Sequence, residues 1–173
     1  MNGPPRRISV HGAPGSGKTW LAERVAERLG LPLFHLDRIY LDDDWSQRPV
    51  GQANAELQAI VRRPAWVIEG IYPESYHARM EAADRIVVLH ATPFHRLARL
   101  VRRVLVNRGR VQEAMPQGKP EELDWAFLRD ALAARHAREV ETAISEAGGE
   151  RRTVHLRSTA DVAMWLSRLE DGR

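Results

Sequence analysis

Short, almost wholly apolar runs alternate along the chain with longer stretches in which apolar residues recur every three or four positions. Ile8–His11, Leu33–Leu36, Ala65–Ile68, Arg85–Leu89 and Thr153–Leu156 read as five strands, and runs this short and apolar suit a buried parallel sheet. Residues 17–29 place Leu21, Val25 and Leu29 on one helical face and turn Glu23, Arg24, Glu27 and Arg28 outward, with Gly30 and Pro32 as the stop. Thr92-Pro93 predicts the start of a helix carrying Phe94, Leu97, Val101 and Val104 on its inner face. Residues 120–147 read as a long helix ended by Gly148-Gly149. Ser158-Thr159-Ala160-Asp161 reads as a capping box ahead of Val162, Trp165, Leu166 and Leu169. Strands separated by helices predict right-handed βαβ units and a parallel sheet covered on both faces.

Composition narrows this further. A chain of 173 residues, 43% apolar and 28% charged, suits one globular domain over residues 1–173. No apolar run approaches a membrane span, and the first twelve residues lack the apolar core of a secretory signal. Cysteine is absent, which removes disulfides, thiolate metal sites and a thiol nucleophile and fits a cytoplasmic setting. Net charge is only +3, small for a duplex binder, although all but Lys18 and Lys119 of the 26 basic residues are arginines.

The chemistry lies between the first strand and the first helix. Gly12-Ala13-Pro14-Gly15-Ser16-Gly17-Lys18-Thr19 satisfies G-x-x-x-x-G-K-[ST] in the strand–loop–helix context that pattern requires. Its glycines let main-chain amides close on phosphate oxygens at the positive end of a helix. Lys18 then supplies a charge at the β- and γ-phosphates, and the Thr19 hydroxyl a ligand for Mg²⁺. ATP and Mg²⁺ are the implied cofactors.

Phosphoryl transfer needs an acid for the metal and cations for the moving group. Ligands of open α/β sheets collect beyond the carboxyl ends of the strands, where Asp37 and Glu69 fall. Glu69 is the candidate metal acid. Asp37 is a candidate catalytic base and acceptor-binding group, and Tyr72 and Arg79 are candidate acceptor contacts. Residues 107–120, rich in glycine and proline and without apolar periodicity, read as a lid able to bring an arginine to the γ-phosphate. Arg103 and Arg110 are the preferred catalytic arginines, with Arg102 and Arg108 as alternatives and Arg135 and Arg138 behind them. His11, His35, His90 and His155 read as structural sheet histidines, and Trp20, Trp125 and Trp165 as core.

With these residues assembled, the chain resembles the P-loop kinases related to adenylate and shikimate kinases. More narrowly, it is similar to the bacterial adenylate-kinase-like group labelled "DNA topology modulation protein". The likeness spans roughly residues 7–169. It rests on residues 12–19, His35-Leu36-Asp37 with Tyr40, Trp66 to Tyr72, Arg79, Ala83-Asp84, Arg108-Gly109-Arg110, the 120–129 segment and Leu156-Arg157-Ser158. The resemblance implies a three-layer fold with strand order 2-3-1-4-5, an acceptor-binding region at about 37–64 and a small lid after strand 4. Asp37 then falls in the acceptor region, Glu69 at the metal and Arg110 in the lid. Glu69 and Ile71 stand where the group usually shows Asp and Asn, and the monophosphate signature of true adenylate kinases is missing after strand 3.

The resulting expectation is an ATP-dependent kinase of a small-molecule acceptor, with a nucleotide such as a nucleoside monophosphate as the first candidate, acting as a monomer or homodimer away from membranes. The competing reading is an ATP-binding regulator with weak ATPase activity that associates with nucleic acid. The small net charge and the lack of a helix-turn-helix or basic tail weigh against it. A GTPase is disfavoured because no Asn-Lys-x-Asp guanine motif is present.

Overall fold

In the computed structural model, which describes residues 4–106 and 135–171, the five expected strands form one parallel sheet in the order β2-β3-β1-β4-β5. The strands are β1 (Arg7–Gly12), β2 (Leu33–His35), β3 (Trp66–Glu69), β4 (Arg85–Leu89) and β5 (Thr153–Leu156). The helices are α1 (Lys18–Leu29), α2 (Leu36–Tyr40), α3 (Val50–Val61), α4 (Pro73–Ala82), α5 (Pro93–Val106), α6 (Arg135–Glu146) and α7 (Thr159–Asp171). The acceptor region expected at 37–64 thus holds two helices. Of these, α3 buries Ala53, Leu57, Ile60 and Val61, an i, i+4, i+7, i+8 stripe.

Period-two alternation splits the strand residues between two cores. Ile8, Val10, Val67, Val87 and Leu89 face α1 and α7, where they meet Leu21, Val25 and Leu166. Trp66, Ile68, Ile86 and Val88 face the other way, onto α2, α3, α4 and α6. Both faces of every central strand are therefore dry, which accounts for the unbroken apolar runs. Each fully buried aliphatic side chain contributes about 1.5–3 kcal/mol.

The helix ends follow their sequence signals closely. Gly30 caps α1 in the left-handed region, with its amide directed to the carbonyls of Ala26 and Glu27. Thr92 Oγ1 accepts from the His95 amide at the start of α5. The box at α7 is reciprocal. Ser158 Oγ accepts from the Asp161 amide at 3.0 Å, and the Asp161 carboxylate accepts from the amides of Arg157 and Ser158.

Two packing expectations are corrected. Phe94 is 78% exposed and Val101 40%, whereas Leu100 and Arg96 are buried. The inner face of α5 is rotated because its backbone docks on the phosphate loop: a Cβ on Gly15 would lie 2.6 Å from the Arg96 carbonyl oxygen. Trp20, expected in the core, is 51% exposed, because it sits on the face of α1 turned away from the sheet.

The β1–β4 edge is locked from below. The Asp84 carboxylate accepts from Arg7 Nε and Nη2 at 3.1 and 2.7 Å, and from the Arg6 and Arg7 amides. Partial burial would raise the Asp84 carboxyl, but these donors outweigh it and leave it below the ordinary carboxylate range. Asp84→Asn is expected to cost about 1 kcal/mol at pH 7. A depressed carboxyl stabilises the fold above its unfolded value of about 3.9 and loses that contribution as pH falls through the folded value. Urea denaturation should therefore show the gap between wild type and variant closing in acid.

Candidate active site

The loop between β1 and α1 is built to receive an anion. Gly17 caps α1 without any side-chain hydrogen bond, so the first-turn amides are not taken by a capping residue. Gly15 has φ +76°, and its bare Cα lets α5 approach to backbone contact. Arg99 Nη1 donates to the Ser16 carbonyl at 2.8 Å and ties the same helix to the loop.

Glu69 at the end of β3 and Asp37 in α2 both lie near Lys18, and Glu69 also meets Thr19. In the parallel register His35 lies opposite Glu69. His35 Nδ1 sits 2.7 Å from Glu69 Oε1, and Thr19 Oγ1 donates to Glu69 Oε2 at 3.3 Å. Burial raises the Glu69 carboxyl, but the His35 hydrogen bond, the Lys18 charge and the Thr19 hydroxyl together hold it below its ordinary value. A buried, ionised carboxylate beside a hydroxyl is a hard oxygen donor pair, and it fits Mg²⁺. His35 was expected to be structural. Its role emerges from pairing between residues 34 apart in sequence.

Asp37, expected at the end of a strand, is instead the second residue of α2, because β2 gives way to helix after His35. Burial raises its carboxyl; Lys18 opposes that and Glu69 adds to it, and the net effect is upward. The Tyr72 phenol lies close to it and opposes that rise. The Tyr72 phenol is itself driven far upward, by burial first and then by Asp37, so it stays a proton donor. Its ring stacks on Tyr40 at 4.3 Å between centroids and 15° between planes, and Tyr40 Oη donates to Asn54 Oδ1 at 2.6 Å. Asp37 and Tyr72 therefore meet on an aromatic shelf beside Lys18.

Gly70 makes this corner possible. It follows Glu69 with φ +136°, and a Cβ there would come within 2.6 Å of Leu36 Cβ.

Arg79, an expected acceptor contact, has no exposed surface. Its Nη2 bonds the Gly70 carbonyl at 2.8 Å and His11 Nδ1 at 2.9 Å, while His11 Nε2 meets Ser9 Oγ at 2.7 Å. Burial lowers the guanidinium to about 10. Its place in this structure is beneath the β3–α4 corner, fixing the backbone from which Tyr72 projects. The lid at 107–120 and Arg110 lie outside the described residues, as does the side chain of Arg103 on α5.

A cavity of about 720 Å³ opens on the other side of the loop, lined by Ser16, Gly17, Trp20, Arg99, Arg102 and Val162 among others. An exposed indole with two guanidinium groups makes a stacking surface for a flat ring. The exposure of Trp20, rather than any motif, is what marks it.

Comparison with known proteins bears on the fold and on the broad class. The model of the ATPase family associated with various cellular activities (AAA) matches residues 8–68, the segment from β1 through most of β3. A protein of Thermococcus onnurineus named "Putative adenylate kinase" is 25% identical over 127 residues, covering 72% of this chain and 68% of that one. Its namesake in Pyrococcus abyssi is 26% identical over 131 residues, with the same coverage. The gluconokinase structure from Sinorhizobium meliloti 1021 superposes with a TM-score of 0.55 at 19% identity, covering 97% of this chain and 91% of that one. The deoxyadenosine kinase from M. mycoides with bound dATP gives 0.53 at 10% identity, covering 95% and 98%. The fold is the three-layer α/β fold of P-loop kinases. These matches support the broader of the two resemblances and do not confirm the narrower one.

Proposed function

We propose that this protein is an ATP-dependent small-molecule kinase that transfers the γ-phosphoryl group in line to an acceptor held between α2 and α4. One observation carries the reading: the Lys18-Thr19 end of the phosphate loop faces two buried carboxylates, Glu69 at the end of β3 and Asp37 in the first turn of α2, whose environments drive their proton affinities apart. Divergent acids at one site are the mark of divided labour.

In this reading residues 12–19 hold the triphosphate, with Lys18 countering charge on the β- and γ-phosphates. Thr19 and Glu69 hold Mg²⁺, which when bound neutralises phosphate charge and orients the γ-phosphoryl group. The acceptor oxygen bonds to the γ-phosphorus as the bond to the bridging oxygen of ADP breaks. Asp37 accepts the acceptor's proton, and Tyr72 and the Tyr40 shelf fix the direction of that carboxylate. Arg103 or Arg110 is assigned to the transferring group. The 720 Å³ cavity beside Trp20 takes the adenine ring.

A buried base suits a hydroxyl acceptor, because an alcohol must lose a proton to be a good nucleophile. A phosphate monoester is already largely ionised at pH 7 and needs no base. The similarity to the two archaeal proteins favours a second acceptor class, a nucleoside monophosphate. A panel of nucleosides, sugar acids and nucleoside monophosphates, assayed with Mg·ATP, tests both. The expected result is ADP formation that requires one acceptor class. ATP binding with no phosphorylated product from any acceptor would reject the kinase reading.

A further inference from the structure

The far edge of the sheet brings together three residues that the phosphate chemistry leaves unused. His155 lies in β5 opposite Val88, and the ladder continues one step further through the His90 amide, which donates to the Leu156 carbonyl at 2.9 Å. Residues two apart on a strand share a face, so His90 and His155 project to the same side as Val88. That side is covered by α6, whose Val140 and Ile144 pack in the same core as Val88. Glu141 follows Val140 on this helix.

The three side chains converge. His90 Nε2 is 3.0 Å from His155 Nδ1, and His155 Nδ1 is 3.7 Å from Glu141 Oε1. One ligand atom from each of the three residues lies within 4.8 Å of those of the other two. Zinc–nitrogen bonds of about 2.0–2.1 Å in a tetrahedron set neighbouring ligand atoms about 3.3 Å apart, between the two measured separations. His90 Nε2 and His155 Nδ1 share a hydrogen bond, so one of them carries a proton; a change of tautomer in that ring, with small side-chain adjustments, brings both imidazole lone pairs and the carboxylate oxygen to a common point. The chemistry of the set is specific. Two imidazoles with one carboxylate suit zinc and its borderline neighbours rather than Mg²⁺.

The surroundings leave room for a fourth ligand. His90 and Glu141 both line a cavity of about 370 Å³ that also reaches Gly12, Ala13 and Arg157. The Arg157 guanidinium opposes a bare cation, and it favours an anionic fourth ligand entering from the cavity.

We propose that His90, His155 and Glu141 form a binding site for a zinc-type divalent metal ion, pinning α6 to β4 and β5 with one position open toward the phosphate loop. The site is separate from the Thr19–Glu69 pair, and its test does not depend on kinase activity.

The experiment is calorimetric titration of the full chain with Zn²⁺ alone in a non-chelating buffer, paired with Co²⁺ titration read by visible absorption. Wild type is expected to bind one Zn²⁺ that His155→Gln loses, with a dissociation constant on the order of 1 μM. Co²⁺ should give the strong visible bands of a distorted tetrahedral site. His155→Gln and His90→Gln should each weaken binding by about 100-fold or more, and His77→Gln should leave it unchanged. Glu141 is half-exposed, so Glu141→Gln supplies a variant that keeps the fold if a histidine replacement does not; at least about a tenfold loss is expected. The thermal midpoint of wild type should rise with Zn²⁺ concentration, and that of the variants should not. No saturable binding to wild type would overturn the proposal. So would isotherms unchanged by His155→Gln and Glu141→Gln, or binding that only Glu69→Gln abolishes.

Discussion

Lys18→Ala is expected to abolish measurable Mg·ATP binding and to reduce turnover by at least about 10²–10³-fold, the cost of losing one preorganised charge at a developing oxyanion. The lysine acts in two directions. Toward the nucleotide it is the point charge that main-chain amides cannot supply. Toward the protein it lowers the proton affinity of both Asp37 and Glu69. Its removal therefore leaves two neighbouring buried carboxylates without their common cation, and both shift toward the protonated form. Lys18→Arg should not rescue the site. A planar guanidinium is broader than an ammonium and must enter a loop whose backbone is already in contact with α5. The check is calorimetry with Mg·ATP on wild type, Lys18→Ala and Lys18→Arg, with circular dichroism to confirm folding. Equal heats from wild type and Lys18→Ala would remove the phosphate loop from the argument.

What the sequence made legible follows how local each signal is. The phosphate loop, the Gly30 stop, the Thr92 cap and the box at 158–161 are each encoded within a few residues, and the structure reproduces them. The strands were legible because burial on both faces leaves continuous apolar runs. The strand order came from resemblance, since nothing in a single strand says which neighbour it will have. The face of α5 was misread because Phe94, Leu97 and Val101 form a plausible apolar stripe. The contact that decides the matter, Gly15 against Arg96, joins residues 81 positions apart, and no periodicity encodes it. The same holds for the site. Asp37 and Glu69 were visible as strand-end acids. That Glu69 is held by His35 depends on the β2–β3 register, and that Tyr72 comes close to Asp37 depends on the turn at Gly70. Histidines at 90 and 155 have no metal-ligand spacing, and only the β4–β5 ladder brings them together.

Asp37→Asn is expected to lower kcat by about 10²–10⁴-fold while leaving Mg·ATP binding within a few-fold of wild type, the range over which a positioned general base contributes. The argument rests on environment. Burial raises the Asp37 carboxyl above its usual value of about 3.9, the nearby Glu69 charge adds to this, and Lys18 restrains it. A base acts in its deprotonated form, so activity should rise with pH through this raised value. The acid limb of the wild-type profile should therefore lie above that of an ordinary aspartate. In Asp37→Asn the limb should vanish along with most of the rate, because asparagine does not titrate in this range. Tyr72→Phe separates basicity from positioning. It removes the hydroxyl donor but keeps the ring that stacks on Tyr40. Losing a donor to the charged form raises the carboxyl further, so the limb should move to higher pH with a smaller drop in the plateau rate. A wild-type profile without an acid limb, or an Asp37→Asn variant with normal kcat on a hydroxyl acceptor, would show that the acceptor arrives already ionised. The nucleoside-monophosphate class would then be favoured, with Asp37 serving to orient the acceptor rather than to take its proton.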